Sequence, residues 1–201
     1  MRQKSRHYHD VMARWEPGAR ERLILAAVDL FTEQGYDATT IAQIAERAGV
    51  TKSTFFRHFP DKREILVAGQ QTLSQLLTEG IAEAPQAATP LEAVTAGLER
   101  ASSAMGPMNH ELAPRLKAAV DANIELQARD ALKSVGLAAA MTDALLARGV
   151  PEPVAHLASE LGVLAFKQGF AQWLQADRDA ALAPYMLAAL EDLRAASQSL
   201  F

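Results

Sequence analysis

The sequence predicts an all-α fold: an N-terminal three-helix unit containing a helix-turn-helix, followed by a larger helical domain. Three observations lead there. Ala, Leu and Glu abound while β-branched runs are scarce across the 201 residues, a composition that favours helix. Apolar residues recur at three- and four-residue steps through most of the chain. The stretch Thr39 to Phe59, TTIAQIAERAGVTKSTFFRHF, shows two short helical patterns joined by a glycine turn, the arrangement that places a helix in the major groove of DNA.

Residues 1–16 are expected to form a flexible basic arm. Arg2, Lys4, Arg6 and Arg14 could reach an adjacent minor groove; the plainer alternative is a disordered tail. His7 and His9 offer two metal ligands on that tail, too few to make a site.

The first helix is predicted over Pro17–Gln34, where Leu23, Ala26, Ala27, Leu30 and Phe31 share one face and Gly35 suits the stop. Thr40 can cap the second helix, with Gln43 completing a capping box and Ile41, Ile44 and Ala45 facing inward. Gly49 ends it, because the turn needs a residue that tolerates positive φ. Thr51 can cap the third, Lys52–Phe59. Phe55 and Phe59 stand four apart and should pack on Phe31 and Ile44. Lys52, Ser53, Phe56 and Arg57 then point outward, with Thr54 and His58 at the edges. Cations and hydroxyls hold phosphates, and Arg, Ser and Thr can read base edges. A merely solvated helix face is the alternative.

Pro60 breaks the third helix, and Asp61 with Glu64 can cap a fourth, over Lys62–Glu79. A loop at 84–90 precedes a helix at Leu91–Ala104, and Met105–Pro114 reads as a break. Helices over Arg115–Arg129 and onward to Arg148 follow, continuous or nearly so. Residues Gly149–Pro153 stop and restart the chain. Val154–Gln175 and Asp179–Ser197 close it as two amphipathic helices.

Residues 1–63 carry eleven Lys and Arg against eight Asp and Glu, a balance of +3; residues 64–201 carry nine against sixteen, −7. A mildly basic N-terminal part suits phosphate contact. The absence of cysteine excludes disulfides, zinc-thiolate sites and cysteine nucleophiles. No apolar run approaches the roughly 18–20 residues that span a bilayer, and the N-terminus has no signal-type apolar region, so a cytoplasmic location without membrane attachment is expected. There is no HExxH, glycine-rich phosphate loop or paired-carboxylate motif, so an enzyme is not expected, nor a metal or other cofactor.

Arg20–Leu66 resembles the DNA-binding domain of the TetR family of transcriptional regulators. Ala26-Ala27, Leu30-Phe31, Gly35-Tyr36, Thr39-Thr40, Ile44-Ala45, Ala48-Gly49-Val50, Thr54-Phe55, His58-Phe59 and Lys62 carry the resemblance. It implies a DNA-binding domain over 17–63, with the helix-turn-helix at about 40–59, and a helical effector-binding and dimerisation domain over 64–201. It implies DNA contacts from Thr40, Gln43, Lys52, Ser53, Thr54, Phe56, Arg57 and His58, and a phosphate contact from Lys62. Phe56 stands where the family most often has tyrosine, whose hydroxyl bonds a phosphate.

The implied partners are a double-stranded operator, a small apolar or amphipathic effector, and a second copy of the chain. Candidate effector-pocket residues are Leu98, Met105, Met108, His110, Leu116, Val120, Met141 and Phe166, since methionines suit adaptable apolar cavities; apolar residues at helical spacing are also ordinary core. For a dimer interface built from the last two helices the candidates are Leu161, Gly162, Gly169, Phe170, Trp173, Met186 and Leu190. Glycine costs about 1 kcal/mol inside a helix, so two on one face suggest close approach of another helix; the alternative is that both helices cover their own core. The expected function is a ligand-responsive repressor binding a palindromic operator as a homodimer and released by its effector. An activator, or an architectural DNA-binding protein, is the alternative.

Overall fold

A computed structural model describes residues 18–65 and 70–200; the N-terminal arm and the side chain of Met108 lie outside the described residues. The fold is all-α. The chain divides into two compact units, Met1–Leu66 and Val67–Phe201.

In the first unit α1 runs over Ala19–Gln34, α2 over Ile41–Arg47 and α3 over Lys52–His58. A 3-10 turn at Lys62–Ile65 follows. Leu23, Ala26, Ala27, Leu30 and Phe31 of α1 are buried with Ile44, Ala45, Phe55, Phe59 and Ile65. A core this small leaves the three helices dependent on polar ties as well. Arg47 supplies one: its guanidinium makes two parallel bonds of 2.9 Å to Glu33, joining α2 to α1. Arg22 supplies another, donating 3.1 Å to the carbonyl of Ala48 at the end of α2.

In the second unit α4 covers Gln70–Glu83, α5 Pro90–Ser103, α6 Pro107–Asp121, α7 Ile124–Ala147, α8 Glu152–Trp173 and α9 Ala183–Gln198. Their shared core includes Leu77, Ile81, Val94, Leu98, Met141, Leu145, Trp173 and Met186. Two crossings are set by glycine. A Cβ on Gly80 would meet the carbonyl oxygen of Ala96 at 2.6 Å, and one on Gly97 the carbonyl of Leu77 at 2.8 Å, so α4 and α5 cross with backbones in contact.

Three element boundaries differ from expectation. The segment expected to be a break, 105–114, is largely helix: α6 starts at Pro107, and Pro114 lies inside it. Proline removes one internal bond and crowds the preceding turn, but this helix is pinned near its start. Asn109 Oδ1 caps the Gly106 amide at 3.1 Å, and Glu111 pairs with Arg178 at 2.7 Å. A turn at 122–123 separates α6 from α7 and so falls inside the helix expected over Arg115–Arg129, whereas the join expected near Arg129 is continuous within α7. Finally, Asp61 accepts bonds from the Arg63 and Glu64 amides at 2.7 and 3.2 Å, but the segment it caps is the short 3-10 turn, not a long helix.

Candidate nucleic-acid interface

The turn between α2 and α3 is built by local chemistry. Thr40 caps α2: its hydroxyl accepts from the Gln43 amide at 3.3 Å, while Gln43 Oε1 accepts from the Thr40 amide at 2.9 Å. Gly49 takes φ 66°, a conformation that costs side-chain-bearing residues energy. The Val50 amide then bonds back to the Ala45 carbonyl at 2.9 Å. Thr51 caps α3 through the Thr54 amide at 3.1 Å.

With Phe55 and Phe59 buried, α3 has one rotational setting. Lys52, Ser53, Phe56, Arg57 and His58 are exposed, and Thr54 is half-buried with its hydroxyl 3.0 Å from that of Thr51. Phe56 is 55% exposed, its ring edge-on to Phe55 at 5.5 Å. Two cations, a histidine, a serine hydroxyl and an aromatic ring therefore share the outward face of one short helix. Thr40 and Gln43 lie at the start of α2, already engaged in their capping box.

Lys62 is engaged within the chain. Its ammonium is half-buried and donates to the carbonyls of Tyr36 at 2.7 Å and Thr39 at 2.9 Å, with that of Asp37 at 3.5 Å. It also lies 4.2 Å from the centre of the Tyr36 ring. Beside it the Arg63 guanidinium, 2.7 Å from Asp61 Oδ2, holds the Asp61 carboxyl below its usual range, with burial opposing the shift.

The candidate effector residues do not share one environment. Leu98 and Met141 are fully buried core; Met105 and Phe166 pack against that core partly buried. Phe166 stacks on Phe170 at 5.8 Å. Leu116 and Val120 are half-buried along α6. His110 is not on the open surface: its Nε2 is 3.1 Å from the Trp173 carbonyl, and its ring stands edge-on to the indole at 4.8 Å.

Most of the candidate dimer residues serve the chain's own core. A Cβ on Gly162 would meet Met141 Cε at 2.6 Å and Val94 Cγ1 at 2.7 Å; one on Gly169 would meet Met186 Cα at 2.5 Å. Trp173, Met186 and Leu190 are buried within the chain. The glycines on α8 do mark close approach, but to neighbours in the same chain. Leu161 and Phe170 are only partly buried. The outward face of α8 instead exposes Val154, Leu157 and Leu164, with a groove of about 220 Å³ lined by Leu157, Glu160, Leu161, Val163, Leu164 and Lys167. Sequence periodicity pointed the wrong way here, because the buried face of α8 is built mainly of small residues (Ala155, Ala158, Gly162, Ala165 and Gly169) while Leu157 and Leu164 face outward.

Arg22, Arg47 and Glu33, which tie α1 to α2, carry no local sequence signal.

Residues 23–68 match the family described as bacterial regulatory proteins, tetR family. The HTH-type transcriptional regulator TcmR of Streptomyces glaucescens is 37% identical over 76 residues, 38% of this chain and 34% of its own. The HTH-type transcriptional activator FasR of Mycolicibacterium smegmatis is 36% identical over 70 residues, 35% of this chain and 32% of its own. The chain spans about a third of the length of these two relatives. Among solved structures, the transcriptional regulator FadR from Bacillus subtilis, in complex with stearoyl-CoA, aligns with TM-score 0.56 at 21% identity, covering 85% of this chain and 95% of that one. A transcriptional regulator from Aquifex aeolicus aligns with TM-score 0.51 at 18% identity, covering 88% and 98%. At these identities the two structures share the fold with this chain.

Proposed function

We propose, for a chain whose residues 23–68 belong to the tetR family of bacterial regulatory proteins, that it is a DNA-binding transcriptional regulator. In this reading it binds a palindromic double-stranded operator as a homodimer, acts as a repressor and is released by an apolar or amphipathic effector. The observation that carries it is α3. Buried Phe55 and Phe59 turn Lys52, Ser53, Phe56, Arg57 and His58 to solvent on a single face, behind a glycine turn of the helix-turn-helix type.

Lys52 and Arg57 neutralise phosphates or read guanine edges, Ser53 and Thr54 add hydroxyl donors, and His58 extends the polar face. One seven-residue helix contacts too few bases for useful specificity. Two copies spaced roughly 34 Å apart read successive major grooves and solve that problem.

The second copy docks on the outward face of α8. Leu157 and Leu164 are 61% and 41% exposed there, and Glu160 and Lys167 flank the groove with opposite charges. A two-fold axis can set the Glu160 of one copy towards the Lys167 of the other. The effector acts in the second unit. Thr142 and Ser159 are buried with no hydrogen-bond partner among the described residues, which suits polar groups of a ligand entering an otherwise apolar bundle. It shifts DNA affinity only by its difference in affinity for the two shapes of the dimer.

The test is a salt series on two duplexes, one selected by the full chain from a random-sequence pool and one random. The regulator reading expects markedly tighter binding to the selected duplex. Equal affinities with the same salt slope would leave an architectural DNA-binding protein instead.

A further inference from the structure

We propose that Arg20, on the first turn of α1, binds a DNA phosphate at the edge of the groove that α3 enters, from a platform made by the Phe59 ring. This rests on the DNA-binding reading above. The Arg20 guanidinium lies over that ring, 5.5 Å from its centre, and Phe59 directly follows the last residue of α3. The same ring lies 6.4 Å from that of His58, which belongs to the outward face. Arg20 thus stands at the C-terminal end of α3 although it comes from another helix.

The described arginines of the first unit fall into two sets. Arg22 donates to the Ala48 carbonyl, Arg47 pairs with Glu33, and Arg63 pairs with Asp61. Arg20 and Arg57 are exposed and, among the described residues, have neither a hydrogen bond nor a carboxylate partner. A guanidinium carries five N–H donors and no acceptor. One that is already paired must give up its partner to take a phosphate; these two need not. Arg57 lies on the outward face of α3, and Arg20 stands beside that helix's end. An aromatic face attracts a guanidinium but gives its N–H groups no oxygen, so they stay open to an oxyanion. Phe59 is itself fixed in the core, and its ring steadies a long side chain that otherwise loses rotamer freedom on binding. The groove calls for such a residue. With seven residues, α3 is about 10 Å long, whereas the major groove is about 12 Å wide. Contacts to its phosphate walls, which make up half or more of the hydrogen bonds in such interfaces, must come in part from beyond the helix ends.

The test uses the full chain with the selected and random duplexes across a salt series. Arg20→Gln removes the charge and keeps a planar amide near the ring. It should weaken both duplexes by a similar factor, about five- to tenfold at 0.1 M salt, and make the salt slope shallower by about 0.9, the share of one phosphate. Arg20→Lys should keep the wild-type slope. Neutral methylphosphonate, placed at one phosphate of the selected duplex at a time, locates the contact. At one position in each half-site wild type should lose affinity while Arg20→Gln does not. A residue that merely braces the end of α3 gives another pattern: Arg20→Gln then loses affinity for the selected duplex with its slope unchanged, and amide exchange at 52–59 quickens. That pattern would overturn the proposal. So would wild-type affinity in Arg20→Gln, or equal sensitivity of the two proteins to every neutralised phosphate. If wild type binds both duplexes equally, the regulator reading fails, and the slope of Arg20→Gln still decides the phosphate contact.

Discussion

Gly169 of α8 and Met186 of α9 meet backbone to backbone: a Cβ on Gly169 would lie 2.5 Å from Met186 Cα and 2.6 Å from its nitrogen. No rotamer change relieves such a contact, because the obstacle is main chain. Gly169→Ala should therefore destabilise the second unit by about 1–3 kcal/mol, the usual penalty of overpacking, although alanine is the better helix former by about 1 kcal/mol. Gly136 on α7 is the control. It is exposed, and a Cβ there meets only the flexible end of Gln70 at 3.5 Å. Gly136→Ala should raise stability by up to about 1 kcal/mol. Urea unfolding of both variants checks the pair; equal effects would mean that the α8–α9 contact is looser than described.

Arg148 closes the other end of the bundle. Its Nη1 donates to the carbonyls of Ile81, Ala82 and Ala84 at 3.1, 3.3 and 2.8 Å, and its Nη2 to that of Pro85 at 2.7 Å. Ile81 and Ala82 belong to the last turn of α4, whose carbonyls lack internal partners at the negative end of the helix dipole, and Ala84 and Pro85 follow directly after it. Arg148→Met should cost about 1–3 kcal/mol by leaving them unsatisfied. Arg148→Lys should recover only part of that loss, since one ammonium cannot span four oxygens. A melting point for Arg148→Met equal to that of wild type would show that water replaces the guanidinium without loss.

How far such features were visible in the sequence depends on the range of the interaction that makes them. The Thr40–Gln43 box, the Gly49 turn and the Thr51 cap are written within four residues, and all three were found. The buried Phe55–Phe59 pair follows from helical spacing, so the outward set on α3 followed too. Arg148 and Lys62 bond to carbonyls 63–67 and 23–26 residues away, and no periodicity marks such a pair. Gly162 and Gly169 correctly signalled close approach, but a sequence cannot say whether the approaching helix belongs to the same chain. Pro114 reads as part of a break because its local cost is visible in the sequence, whereas the contacts that hold α6, His110 to Trp173 and Glu111 to Arg178, are not.

The α8 groove yields the test of assembly. Leu157 and Leu164 are exposed, so placing a charge at either does not disturb the protomer core. Leu157→Glu and Leu164→Glu should each leave helix content and melting point near wild type while shifting the protein from dimer to monomer by light scattering. Affinity for the selected duplex should fall by more than tenfold, because each half-site is then bound alone. A chain that stays dimeric with both substitutions would place its partner on another face.

Phe56 offers the sharpest question about recognition. It is the one large hydrophobic side chain on the outward face of α3, and its ring stands edge-on to that of Phe55. A ring without a hydroxyl cannot bond a phosphate, but it can cover a thymine methyl. Phe56→Tyr should tighten operator binding by at most about 1 kcal/mol, the net worth of one added hydrogen bond, provided that the ring's edge faces the backbone. Replacing the contacted thymine by deoxyuridine removes the methyl alone. That change should weaken wild-type binding several-fold and leave Phe56→Ala unaffected, since the alanine variant has already lost the contact. If deoxyuridine weakens both proteins equally, the methyl is met by another side chain. If Phe56→Tyr weakens binding, the ring lies flat on the bases with no room for an added oxygen, and its part in recognition is stacking.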